Sequence, residues 1–155
     1  MNNDNNFNKL SHEKSLYLQK AASHQVNWHP FNGEALEAAK LDNLPIYVHI
    51  GRFTNFWGKH FLDDLNHSTE CIEFLNKNFK CFLVDALEMP DFDEYCQKAA
   101  QLYSQSAGHP LHAFMTPGLK PFFAGHSFMV HRDDSKDAPF PQNDFLGLLK
   151  ELFEA

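Results

Sequence analysis

The chain has 155 residues, the size of one domain, and 43% of them are hydrophobic, including 16 Phe, so a single core can close and disorder as the main state is excluded. Its 13 Lys and Arg against 20 Asp and Glu give a formal net charge of −7 with no basic run, which sets aside nucleic acid and anionic membrane surfaces as partners. No uninterrupted apolar run is longer than Cys81 to Val84, and Met1 to Asn8 is polar, so neither a transmembrane helix nor a secretory leader is expected and the chain reads as cytoplasmic.

Residues 1–7 read as a frayed, Asn-rich start, followed by one domain over 8–155 with no repeat and only one polar, Pro-punctuated stretch, Arg132 to Asn143. Gly33 to Leu41 is rich in helix formers, with Leu36, Ala39 and Leu41 spaced for one face, and Asp42-Asn43 before Leu44-Pro45 ends it. Ile46 to Ile50 is β-branched and aromatic and predicts a strand that Gly51 stops, leading into a loop from Arg52 to Gly58. A helix is expected to begin near Trp57 to Lys59. Ser68 caps a further helical pattern running to about Asn76, with Ile72, Phe74 and Leu75 on its apolar face. Phe79 to Val84 is apolar apart from Lys80, the mark of a strand covered on both faces. A helix follows from Phe92 to Tyr103. Leu111 to Met115 and Pro121 to Ala124 are short strands joined by Thr-Pro-Gly-Leu-Lys, and a last helix spans Asn143 to Phe153.

The order α-β-α-β-α-β-β-α, with an X-Pro bond at His109-Pro110 before the third strand, is that of a thioredoxin-like α/β fold with a central mixed sheet flanked by helices. In that fold such a proline faces the loop after the first strand and is expected to be cis. The wording of the chain carries a more specific resemblance. Asn8-Lys-Leu-Ser-His-Glu-Lys-Ser-Leu-Tyr-Leu, Val26-Asn-Trp, Glu34-Ala-Leu-Glu-Ala-Ala-Lys, Leu44-Pro-Ile, Pro90-Asp-Phe-Asp, Gly108-His-Pro-Leu-His-Ala-Phe-Met-Thr-Pro and Leu119-Lys-Pro-Phe-Phe-Ala-Gly occur in that order. Together they resemble the thioredoxin-like domain of the spermatogenesis-associated protein 20 family. In that family the strand matching Ile46 to Ile50 runs into a Cys-x-x-Cys loop with Trp before its second Cys. By this resemblance Asn55 stands at the nucleophilic thiol and Gly58 at the resolving thiol, while Trp57 keeps its place. Thiol–disulfide exchange needs an attacking thiolate and a resolving one, and an Asn amide and a Gly supply neither. At Asp85-Ala-Leu-Glu-Met-Pro the chain also lacks the charges that family members tend to place before Pro90. Larger members continue into a helical barrel resembling sugar epimerases, which this sequence does not reach, so no carbohydrate chemistry is expected.

The expected function is therefore a redox-inactive domain that binds protein or extended peptide, with no catalytic residue, cofactor or metal. Its surface comprises Phe53, Thr54, Asn55, Phe56, Trp57, Gly58 and Lys59 of the loop, with Phe53, Phe56 and Trp57 exposed, together with His109 and Pro110 at the strand edge. The alternative is a thiol oxidoreductase or isomerase working through a displaced cysteine, with Cys71 and Cys96 as exposed-side candidates. Cys81 reads as buried and inert, and the odd count of three without a C-x-x-C gives no disulfide framework. His49, His60, His109 and His112 invite a metal reading, but strand alternation turns His109 and His112 to opposite faces. Asp63, Asp64, Asp91, Asp93 and Glu94 read as solvated helix faces and first-turn charges, with no partner base in the pattern.

Overall fold

The computed structural model describes residues 8–126, 128–130 and 145–154. In chain order these form α1 (Leu16–Lys20), β1 (Trp28–His29), α2 (Gly33–Asp42), β2 (Ile46–Gly51), α3 (Phe56–Asn66), α4 (Thr69–Asn78), β3 (Lys80–Asp85), α5 (Pro90–Ser104), β4 (Leu111–Met115), β5 (Pro121–His126) and α6 (Phe145–Glu154). The strands make one mixed sheet in the order β1-β3-β2-β4-β5. β1, β3 and β2 run parallel, and β4 and β5 pair antiparallel. The expected frayed start, the stretch from 132 to 143 and the first two positions expected in the last helix lie outside the described residues.

Alternation along the strands builds two cores. Ile46, Val48 and Ile50 join Phe82, Val84, Leu111, Ala113 and Met115 against Ala35 and Ala39 of α2 and Cys96, Ala99 and Ala100 of α5. Tyr47, Cys81, Leu83 and Phe114 point the other way, onto Leu18 of α1, Phe61 and Leu65 of α3, Leu75 of α4 and Leu149 of α6. The result is a helix–sheet–helix sandwich with β2 at its centre. Apart from the two additions below, each expected element is present with its ends moved by a few residues. Ser68 caps α4 by accepting from the Cys71 amide, as its spacing implies.

Two elements escape the periodicity: α1 has five residues and β1 two, too short for any pattern to show. A third difference concerns the face of α2. Leu41 is 86% exposed and the helix buries Ala35 and Ala39, because at about 100° per residue Leu41 falls on the side opposite Ala39; the left-handed C-cap at Asn43 (φ 51°) then ends the helix before β2. No helix among the described residues is long and apolar enough to cross a membrane.

The second core is polar in its middle. His49 and His112 are both fully buried, with rings 5.3 Å apart. His49 Nε2 is hydrogen-bonded to the Tyr17 hydroxyl at 2.6 Å, and His112 Nδ1 to the Tyr47 hydroxyl at 2.7 Å. Their other ring nitrogens have no protein partner. Burial holds the His49 imidazole down to about 3 and the His112 imidazole well below the usual histidine range, each also disfavoured by neighbouring histidines. Both rings are neutral in the folded protein and free to protonate near 6.5 in the unfolded chain, so their contribution is complete above that pH and is lost as pH falls from about 6.5 towards 3. Between pH 6.5 and 5 each buried ring should remove up to about 1.4 kcal/mol per pH unit from the unfolding free energy. Urea unfolding across that range checks this, and His49→Gln should flatten the slope by about one proton.

Candidate functional site

The loop between β2 and α3 lies at the end of the sheet where Gly51 pairs with Asp85 and Ile50 pairs with Leu111. Asn55 is the N-cap of α3. Its Oδ1 accepts from the Gly58 amide at 2.9 Å, and its Nδ2 donates to the His109 carbonyl at 3.1 Å. One amide therefore satisfies a helix end that would otherwise leave donors unpaired and ties that end to the segment before β4. The His109–Pro110 peptide is cis. A Cβ built on Gly58 would lie 3.8 Å from Asn55 Oδ1 and 3.8 Å from Pro110 Cβ. Positions 55 and 58 thus face one another across the first turn of α3, with Pro110 beside them.

Tyr17 closes the site from below. Its phenol sits where a side chain on Gly51 would have to go, and it lies 3.2 Å from a Cβ built on Gly58. Burial, then the Asp85 carboxylate, raises its hydroxyl far above the ordinary tyrosine range, so it stays protonated. Glycine at 51 is thus a requirement of close approach.

Above the site the loop exposes aromatic surface. Phe56 and Trp57 are 68% and 63% exposed, their rings 5.3 Å apart, and the His60 ring stacks on Phe56 at 5.9 Å. Phe53 departs from the expected exposure: it is half-buried, packed on the core, with the Lys20 and Lys59 ammonium groups 4.7 and 4.3 Å from its ring centre. Thr54 is exposed, Lys59 is half-buried, and Gly58 and Pro110 are buried. The surface expected from the sequence is therefore narrower, with Gly58 and Pro110 forming its floor.

The cysteine expectations need one correction. Cys71 and Cys96 are 1% and 0% exposed, as buried as Cys81, because each turns inward from its helix into a core. Burial raises the Cys81 thiol strongly and pushes Cys96 up to about 12. No disulfide joins any of the three.

The histidines separate. His49 and His112 share the core, and His60 pairs with Asp64 at 3.2 Å on the exposed face of α3. His109 turns to the other side, where its Nε2 lies 2.8 Å from Asp93 Oδ1. No group of three His, Cys, Asp or Glu among the described residues converges as a metal site would require. Asp93 also departs from its expected role, since it is a mostly buried partner of His109, and Gln97 Nε2 donates to Asp93 Oδ1 at 3.2 Å and to the Gly108 carbonyl at 3.1 Å. The acid and the histidine are 16 residues apart and meet because α5 runs back along β4, a juxtaposition that local spacing does not display. They brace the segment before Pro110 from α5, as Asn55 braces it from α3.

Comparison with known proteins matches residues 7–154 to the Thioredox_DsbH family, described as "Protein of unknown function, DUF255". Mouse spermatogenesis-associated protein 20 is 37% identical over 121 residues, which is 78% of this chain and 15% of that protein. The human protein of the same name is 34% identical over the same length and shares. The chain thus spans only 15% of the length of these curated relatives. A solved structure described as a DsbH oxidoreductase aligns over 83% of this chain and 85% of its own, with a TM-score of 0.54 at 17% identity. A thioredoxin from Thermus thermophilus aligns over 83% of this chain and 87% of its own, with a TM-score of 0.56 at 15% identity. Both likenesses establish the thioredoxin fold.

Two outcomes follow from this geometry. Gly51→Ala should cost about 1–3 kcal/mol by forcing Tyr17 off His49, read as a lowered denaturant midpoint. A water-soluble maleimide should label none of Cys71, Cys81 and Cys96 in the native protein and all three in denaturant, as mass spectrometry would count.

Proposed function

The chain belongs to the Thioredox_DsbH family and carries a thioredoxin-like domain, and from that premise we propose that it is a redox-inactive member that binds protein or extended peptide at the α3 loop. The observation that carries this reading is the pair Asn55 and Gly58, which face each other at the N-terminus of α3 beside Pro110. A nucleophilic and a resolving thiol would need that relation to one another. Here one position holds an amide whose two ends are already hydrogen-bonded and the other holds no side chain. An Asn amide cannot form a mixed disulfide, and glycine cannot resolve one. The burial of Cys71, Cys81 and Cys96 speaks against the alternative, an exchange reaction through a displaced thiol.

What remains is a scaffold that presents Phe56 and Trp57 to solvent beside a backbone edge. The His109 carbonyl accepts from Asn55, and its second lone pair can still receive a donor from an extended chain. Paired aromatics near that carbonyl suit strand-like peptide capture, where main-chain bonds supply affinity and side-chain contacts supply selectivity.

Insulin reduction with dithiothreitol tests the redox half. The native protein should give no turnover above a heat-inactivated control. Asn55→Cys combined with Gly58→Cys should reduce insulin, with the thiol at position 55 below the free value of about 8.5 because the α3 dipole favours the thiolate. Tyr17 must yield slightly to admit the second side chain. Either single variant should stay inactive for want of a resolving partner. A folded double variant with an ordinary thiol pKa and no turnover, or a native protein that turns over, rejects the proposal.

A further inference from the structure

Charge around the loop is arranged against the character of the chain. The protein carries −7, yet the Lys20 and Lys59 ammonium groups both lie on the Phe53 ring, and exposed Arg52 precedes that ring in the chain. Lys20 comes from the end of α1, Lys59 from the first turns of α3, and Arg52 from the residue next to Phe53. Both ammonium groups lie on one ring, which puts them within about 9 Å of each other, close to the screening length at physiological salt, so they repel. None of the three has a carboxylate within 4.0 Å among the described residues, although the chain has more acids than bases and pairs Lys40 and Lys98 on its own helices. The N-terminus of α3 adds positive potential on the same side. On the other side of Gly51 the charge reverses. Asp85 pairs in register with Gly51, and the Glu88 carboxyl is raised by burial first and then by the Asp85 and Glu13 carboxylates.

We propose that this rim selects its partner by charge: Lys20 and Lys59 on the Phe53 ring, with Arg52 next to it in the chain, receive the carboxylates of an extended, Asp- or Glu-bearing polypeptide segment whose apolar side chain rests on Phe56 and Trp57. The inference rests on the peptide-binding reading above and names the chemistry of the peptide. A short acidic segment fits better than a polyanion, because three cations neutralise only a few charges and the rest of the surface repels a longer acid. The acidic group at Glu13, Asp85 and Glu88 confines the partner's carboxylates to the Phe53 side, which fixes the direction in which the segment lies.

Selection of a random nonapeptide library on immobilised, folded protein separates the possibilities. Sequences retained by the native protein, and lost with Trp57→Ala, should be enriched in Asp and Glu next to an aromatic or aliphatic residue. A synthetic peptide from that pool should bind about twofold to fivefold more weakly for each cation removed in Lys20→Gln, Arg52→Gln and Lys59→Gln. Its Asn/Gln counterpart should bind more weakly still and lose the salt dependence. Circular dichroism and melting midpoints control for folding of each variant. Retained sequences that are neutral or basic, or an acidic peptide indifferent to all three substitutions, overturn the charge inference and leave the binding reading standing. No enrichment over Trp57→Ala overturns both.

Discussion

Strand β2 is buried along its whole length at the centre of the sheet, so every polar side chain it carries must find its partner inside the protein. It carries two on one face, Tyr47 and His49, and the packing on that face follows from them. Tyr47 meets His112 across the β2–β4 pair, and His49 recruits Tyr17 from α1, a helix too short to hold its place by propensity. Phe61 and Phe145 then stack around the imidazoles and bring α3 and α6 onto the sheet. An imidazole paired with a phenol costs less to bury than one left bare, though both rings keep one nitrogen without a protein partner.

The same pairing reaches the surface. Tyr17, drawn in by His49, fills the space under Gly51 and Gly58 and so sets the height of the α3 loop. Above it Asn55 holds the helix start to the His109 carbonyl, while Asp93 and Gln97 hold the His109 side from α5. The loop is therefore fixed from three directions, which suits a rigid platform: ordering a flexible loop on binding would cost affinity. An amide at position 55 holds such a site without a thiol, since Asn55 makes two hydrogen bonds of its own.

Much of this was legible in the chain. The strands β2, β3 and β4 announce themselves because their residues are β-branched or aromatic and stand between turn residues, and Ser68 signals its helix by capping chemistry alone. The position of Asn55 at a helix start was accessible through the family resemblance. Three things were hidden for physical reasons. α1 and β1 owe their existence to tertiary partners and leave no period. Leu41 looks like a core residue by composition, yet two positions after Ala39 it lies on the far side of the helix. The pairs Asp93–His109 and Tyr17–His49 join residues 16 and 32 positions apart, and composition has no means of showing which acid or phenol a histidine will meet.

The two tryptophans stand at opposite extremes of environment. Trp28 is wholly enclosed between Tyr47 and His49, whereas Trp57 stands at the rim with most of its indole in water. Indole emission shifts to the red as its surroundings become polar, so the protein carries two separable optical labels on one chain. The bluer one reports the integrity of the interior, and the redder one, open to dissolved quenchers, reports whatever comes to rest on the loop.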